Sequence, residues 1–259
     1  MNCGIVLYTS TKGHFGYKNC YQETVERLER EFPSSNALAF PSNYPLEKFA
    51  HIKVSPDEDD IAEEMEKFFR KHNFYVLKTK AEWSHNDASH ANGYYADKLT
   101  CFSHPEVLKH NTVLFIEDDW LIETTQASMH QVVRLAEEYL HEHPEKLCVR
   151  INRDTDKVPD WFKATDDIFV QGDKATPYGP TMTFQPTFVR PREWYHALRV
   201  INNSIKAIPN LLEQYHCELI SGITMKDMFT DDPHPFCFFN PDFVTAEHIG
   251  DEHRCKESI

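Results

Sequence analysis

Glycine is scarce in this chain, eight in 259 residues, and what is missing around those few glycines excludes two common phosphate-binding loops. Thr11-Lys12-Gly13-His14-Phe15-Gly16 follows the first apolar stretch but lacks the third glycine of G-x-G-x-x-G, and no G-K-[ST] occurs anywhere. Basic residues are also few. Lys and Arg number 27 against 41 Asp and Glu, a formal charge of −14. A surface of that sign repels nucleic acid and anionic membrane, which argues against both as partners, and any anionic ligand needs a cation or a local basic group to hold it. Long apolar runs are absent: no segment approaches the roughly 20 residues of a transmembrane helix. The opening MNCGIVLYTS carries no basic leader region. The seven cysteines are odd in number, scattered and never spaced C-x-x-C, so zinc and dithiol chemistry are not expected. Free thiols in a reduced, cytoplasmic protein are expected instead, and the Asn202-Asn203-Ser204 sequon is then idle. No Gly/Ser-rich or Pro-rich linker interrupts the chain, so residues 1–259 are expected to form one domain.

What is present alternates. Ile5 to Ser10 reads as a buried strand, and Tyr21, Val25, Leu28 and Phe32 then follow helical spacing up to Pro33. Thr9 and Ser10, at the strand end, can meet a nucleotide through backbone and hydroxyl groups. Asn36 to Phe40, His51 to Val54 and Phe74 to Leu77 look like further strands. Between the last two, Pro56 to Asp60 opens a helix whose buried face is Ile61, Met65, Phe68 and Phe69. Ser84 to Thr100, with His85, Asp87, His90, Asp97 and Lys98, is expected to include a helix covering a site. His85 and His90 are five apart and do not share a helix face as metal ligands would.

The most informative stretch is Asn111 to Ile122, NTVLFIEDDWLI. Its apolar run, Val113 to Ile116, lacks polar alternation, the mark of a strand buried on both faces inside a parallel or mixed sheet. Glu117, Asp118 and Asp119 follow at once. Three adjacent carboxylates repel one another and raise their own pKa values unless a cation lies among them, so the strand end is expected to open into a metal or polar-ligand site. Beyond it, Thr124 or Thr125 can cap a helix with Met129, Val132, Val133, Ala136 and Leu140 on its apolar face, and Leu147 to Ile151 is a strand. Phe169 to Val189, broken by Gly and Pro, suggests hairpin or mixed-sheet strands. Pro209 is placed to start a helix through Leu211, Leu212, Tyr215 and Leu219, and the tail from Asp231 reads as irregular chain wrapping back over the body.

This order of elements resembles that of the GT-A glycosyltransferases, and Val113-Leu114-Phe115-Ile116-Glu117-Asp118-Asp119-Trp120 is similar to the E-D-D strand of the N-acetylglucosaminyltransferase I family. The resemblance implies a three-layer α/β/α fold with a central mixed, mostly parallel sheet, a nucleotide-binding half at about 1–122 and an acceptor half at about 123–259. It also implies a nucleotide-sugar donor, an acceptor that is a glycan, protein or small molecule, and Mn²⁺ or Mg²⁺. In that pattern Asp119 is a metal ligand, Asp118 contacts the ribose or the metal, and Glu117 contacts donor sugar hydroxyls. His248, in His-Ile-Gly, looks like the C-terminal histidine that some of these enzymes use as a further metal ligand. The glycine-rich E-D catalytic motif of the second half has no counterpart here. For an inverting base the choice falls on Glu218, in the apolar Tyr215-His216-Cys217-Glu218-Leu219, with Asp227 in reserve.

Two other classes use some of the same features. Sugar-nucleotide nucleotidyltransferases also place acids at a strand end, but Thr9 to Gly16 matches their glycine-rich basic signature poorly. A non-catalytic carbohydrate-binding protein would instead rely on exposed Trp83, Trp120, Trp161 and Trp194.

Overall fold

The structure is a computed structural model that describes residues 3–11, 20–32, 46–80, 90–124, 128–153, 162–164, 168–172, 186–207, 223–224, 227–228 and 236–249. In chain order the elements are β1 (Cys3–Ser10), α1 (Tyr21–Glu31), β2 (Glu47–Val54), α2 (Asp59–Lys71), β3 (Phe74–Lys80), α3 (His90–Phe102), α4 (Pro105–Leu108), β4 (Thr112–Glu117) and β5 (Trp120–Thr124). There follow α5 (Met129–Glu142), β6 (Cys148–Arg150), β7 (Asn152–Arg153), β8 (Phe162–Ala164), β9 (Phe169–Gly172), β10 (Thr187–Val189), α6 (Pro191–Lys206), β11 (Phe236–Phe239) and β12 (Val244–His248).

Nine strands form one sheet in the order β3-β2-β1-β4-β10-β6-β11-β9-β8, which runs through both halves of the chain. The first four are mutually parallel. β10 runs against both β4 and β6, β11 is parallel to β6, β9 runs against β11, and β8 against β9. Only β10 and β9 therefore oppose the rest, so the sheet is mixed and mostly parallel, with β4 in its interior as its unbroken apolar run demands.

Alternation along the strands builds two cores. Ile5, Leu7, Leu114 and Ile116 face α1, α2 and α5, together with Val25, Met65 and Val132. Val6, Tyr8, Val113 and Phe115 face the other way, onto Tyr95 and Phe102 of α3 and Trp194, Leu198 and Ile201 of α6. The result is three layers, α/β/α. Buried strands of this kind cannot show period-two polarity, because each face meets a helix layer.

Local signals differ from expectation at several points. Ser128, not Thr124, caps α5 through a capping box with Gln131, and Thr124 belongs to β5. Ile61 is exposed on α2, where Ala62, Met65 and Phe69 form the buried face. The described part of the tail, 236–249, is not irregular: β11 enters the main sheet beside β6, and β12 joins a second, three-stranded sheet of order β5-β12-β7. Its strands are short and rich in Phe and Pro neighbours, so they earn their pairing from partners far along the chain and not from local pattern. α6 falls outside the expected elements, although Pro191 at its first turn and buried Trp194, Leu198, Ile201 and Ile205 carry the helical spacing. The expected strand at 36–40 and the helix from 209 lie outside the described residues.

One buried group ties this fold to pH. His51 on β2 is 1% exposed, with Nε2 2.9 Å from Thr79 Oγ1. Burial, reinforced by the charges of Lys98 and Lys53, pushes its pKa from 6.5 down to about 3. Above pH 6.5 the ring is neutral in folded and unfolded chain alike; as the pH falls toward 3 only the unfolded chain takes up the proton. Stability is then lost at up to about 1.4 kcal/mol per pH unit. His51→Gln is expected to flatten this acid limb in urea denaturation between pH 6.5 and 4, and an unchanged slope would clear His51 of the role.

Candidate active site

From β1 the chain moves outward to β2 and β3, then returns to the other side of β1 as β4. The carboxyl ends of β1 and β4 therefore flank a topological switch point, the place where open α/β sheets form a ligand crevice. Thr9 and Ser10 end one strand, and Glu117, with Asp118 just beyond, ends the other. Register brings them together, with Tyr8 opposite Glu117.

Asp118 is bound into this junction. Its backbone N–H donates to Tyr8 O at 3.1 Å, the Thr9 hydroxyl donates to its Oδ2 at 2.6 Å, and the Thr24 hydroxyl of α1 donates to its carbonyl at 2.7 Å. Burial, followed by the charges of Asp119 and Glu117, pushes its pKa up to about 8, while the Thr9 hydroxyl and Lys98 oppose the rise.

Asp119 reaches a different partner. β12 pairs antiparallel with β5 so that His248 lies opposite Trp120, their rings 4.7 Å apart, and His248 Nε2 stands 3.0 Å from Asp119 Oδ2. Ile249 N–H donates to the Asp119 carbonyl at 2.9 Å. Residues 129 positions apart thus meet at one point. The other oxygen, Oδ1, is buried without a hydrogen-bond partner among the described residues.

Glu117 points to the opposite face of the sheet, toward α3. Its Oε1 lies 2.6 Å from Lys98 Nζ, and that ammonium sits 3.1 Å from the centroid of the Tyr8 ring. Beside it, Asp97 Oδ2 accepts from the Tyr8 hydroxyl at 3.2 Å and pairs with Lys53 Nζ at 2.8 Å. Burial raises the pKa of Glu117, and the Lys98 charge works against it. Burial likewise lowers that of Lys53 to about 8, against the pull of Asp97. No sequence pattern announced this pairing, because it joins α3 to two strands across the fold.

The donor set suits a hard divalent ion in part. An unsatisfied buried carboxylate oxygen is costly, and an oxygen-seeking cation would satisfy it. Asp119 Oδ2 and His248 Nε2 are 3.0 Å apart, comparable to neighbouring donors around one small ion with bonds near 2.1 Å. Among the described residues no group of three or more His, Cys, Asp or Glu is placed to hold a metal, so the remaining ligands would have to come from phosphate and water. Glu218 lies outside the described residues, and Asp227 is exposed on a short helical piece. The aromatic binding surface finds no support in the two tryptophans that are described. Trp120 is 7% and Trp194 0% exposed, each closed into packing. Trp83 and Trp161 lie outside the described residues. Among the described residues no helix is long and apolar enough to cross a membrane, and Cys3, Cys20, Cys101, Cys148 and Cys237 are buried free thiols.

No protein-family model and no curated protein matches this chain. Among solved structures it is similar to S. aureus TarS, at 13% identity and a TM-score of 0.47, over 95% of this chain and 37% of that one. It is also similar to S. aureus TarS 1–349 in complex with UDP, at 15% identity and a TM-score of 0.43, over 93% and 61% of the two chains. A galactosyltransferase, LgtC, in complex with donor and acceptor sugar analogues, aligns at 10% identity and a TM-score of 0.48, over 91% and 72%. The chain spans well under half of the length of TarS. At such identities no residue role passes from these proteins to this one.

Thr9 supplies the β1 side chain that holds the Asp118 carboxyl. Thr9→Val keeps the shape and deletes the hydroxyl donor, leaving a buried carboxyl short of a hydrogen bond. A loss of about 1 to 3 kcal/mol is expected in urea unfolding at pH 7. Unaltered stability would show that Asp118 does not depend on it.

Proposed function

We propose that this chain is a metal-dependent glycosyltransferase, moving a sugar from a nucleotide-diphosphate sugar to an acceptor hydroxyl. One observation carries the reading: at the switch-point end of β4, Asp119 keeps a buried oxygen without a hydrogen-bond partner among the described residues while its other oxygen meets His248, a residue delivered by a distant strand. With a formal net charge of −14, the chain needs such a point of positive charge before an anionic diphosphate can settle there.

In this reading Asp119 and His248 hold Mn²⁺ or Mg²⁺. The ion, when bound, neutralises the charge that develops on the departing diphosphate. Asp118, fixed by Tyr8, Thr9 and Thr24, keeps the strand end rigid and is assigned the contact to the ribose or the ion. Thr9 serves the donor through Asp118, and Ser10, buried at the end of β1, is assigned a contact to the nucleotide. Glu117, with one oxygen held by Lys98, is the contact to donor sugar hydroxyls. The acceptor is a glycan, protein or small molecule. Inversion requires a carboxylate that takes the acceptor hydroxyl's proton from the face opposite the diphosphate, and Glu218 is assigned that role from the sequence alone.

Asp119→Asn is expected to abolish most Mn²⁺-dependent binding of a nucleoside diphosphate in calorimetric titration while the thermal midpoint changes little, since a ligand is lost and not core packing. Equal affinity in variant and wild type would remove the metal site. Glu218→Gln should lower turnover by about a hundredfold or more at unchanged donor affinity. A product that keeps the donor's anomeric configuration would reject Glu218 as an inverting base.

A further inference from the structure

Lys98 is fully buried on α3, and its ammonium faces the two strands whose ends form the crevice. Its ammonium touches Glu117 of β4 at 2.6 Å and the face of Tyr8 of β1 at 3.1 Å, and these two residues are register partners. The backbone carbonyl of Tyr8 accepts the Asp118 N–H at 3.1 Å, so the residue whose ring lies under Lys98 also holds the start of the acidic turn through its main chain. The adjacent Asp97 repeats the arrangement with Tyr8 and Lys53. Desolvating two ion pairs is expensive, and apolar residues of similar volume often stabilise a fold as well or better. Stability alone therefore does not account for charges at this spot. A fixed geometry for the residues that follow Glu117 does.

We infer that Lys98 is a positioning residue of the candidate site, pinning the end of β4 against β1 and α3 so that the turn after Glu117, and with it Asp119, is held at one fixed angle to the crevice. This rests on the sugar-transfer reading of that site. Lys98 acts through Glu117 and Tyr8, and it touches neither donor nor metal. Partners that orient the ligands of a metal typically change affinity by about 10- to 100-fold when removed.

The test is Mn²⁺-dependent binding of uridine diphosphate, a probe without a sugar, so that any contact of Glu117 with sugar hydroxyls is not read. Lys98→Met is expected to weaken binding by about 10- to 100-fold, and Lys98→Arg, which keeps the charge, to restore most of it. Should Lys98→Met leave an unpaired Glu117 and fail to fold, the double variant K98M/E117L removes both charges and keeps a packed interior. The double variant is expected to bind the probe about 10- to 100-fold more weakly than wild type, with a thermal midpoint near that of wild type. Wild-type affinity in K98M, or in the double variant, would overturn the inference and leave the metal site standing. Wild-type protein that binds no Mn²⁺ with uridine diphosphate would overturn the reading of the site, and the inference with it.

Discussion

A strand buried along its whole length ends in one carboxylate and is followed at once by two more, and most of the structure around these three can be understood as a way of tolerating them. Each acid is handled differently. Glu117 is turned to the α3 face and neutralised by Lys98. Asp118 is turned to the α1 face and held by two hydroxyls, one on its side chain and one on its carbonyl, which makes burial bearable without a full counter-charge. Asp119 is left at the crevice, with one oxygen on His248. Alternation along the strand separates the first two onto opposite faces, so their repulsion is reduced by geometry as well as by partners.

The sheet's path explains why the third acid is placed at a crevice and not at an arbitrary surface. The reversal between β1 and β4 puts their carboxyl ends at a switch point, where open α/β sheets form a ligand crevice, and helices pack on both faces of the sheet. The small sheet of β5, β12 and β7 then closes over the turn that follows β4, and its backbone pairing sets His248 opposite Trp120. A histidine on an unpaired tail would carry no such constraint. Here Ile249 also donates to the Asp119 carbonyl, so the histidine and the carboxylate are registered by the main chain before any side chain is considered. The positions are therefore set by hydrogen bonds that are hard to break in a protein interior.

The sequence alone determined the buried strand Thr112 to Ile116, the helices built on Val25, Met65 and Val132, and the acidic turn as the place of interest. Apolar periodicity is a local property, and helices and buried strands write it into consecutive residues. Thr9, Ser10, Glu117 and Asp118 were legible for the same reason, as polar groups at the ends of apolar runs. α6 falls outside the expected elements, although its spacing and its opening proline carry a helical signal. Tertiary structure decided the rest. Whether Asp119 has a partner depends on β12, a strand whose residues show no β pattern of their own and which forms because β5 and β7 supply its hydrogen bonds. The pairing of Lys98 with Glu117 depends on how α3 crosses β1 and β4. Contacts between residues far apart in the chain are selected by packing and by the need to neutralise buried charge, and a linear sequence holds neither distances nor burial.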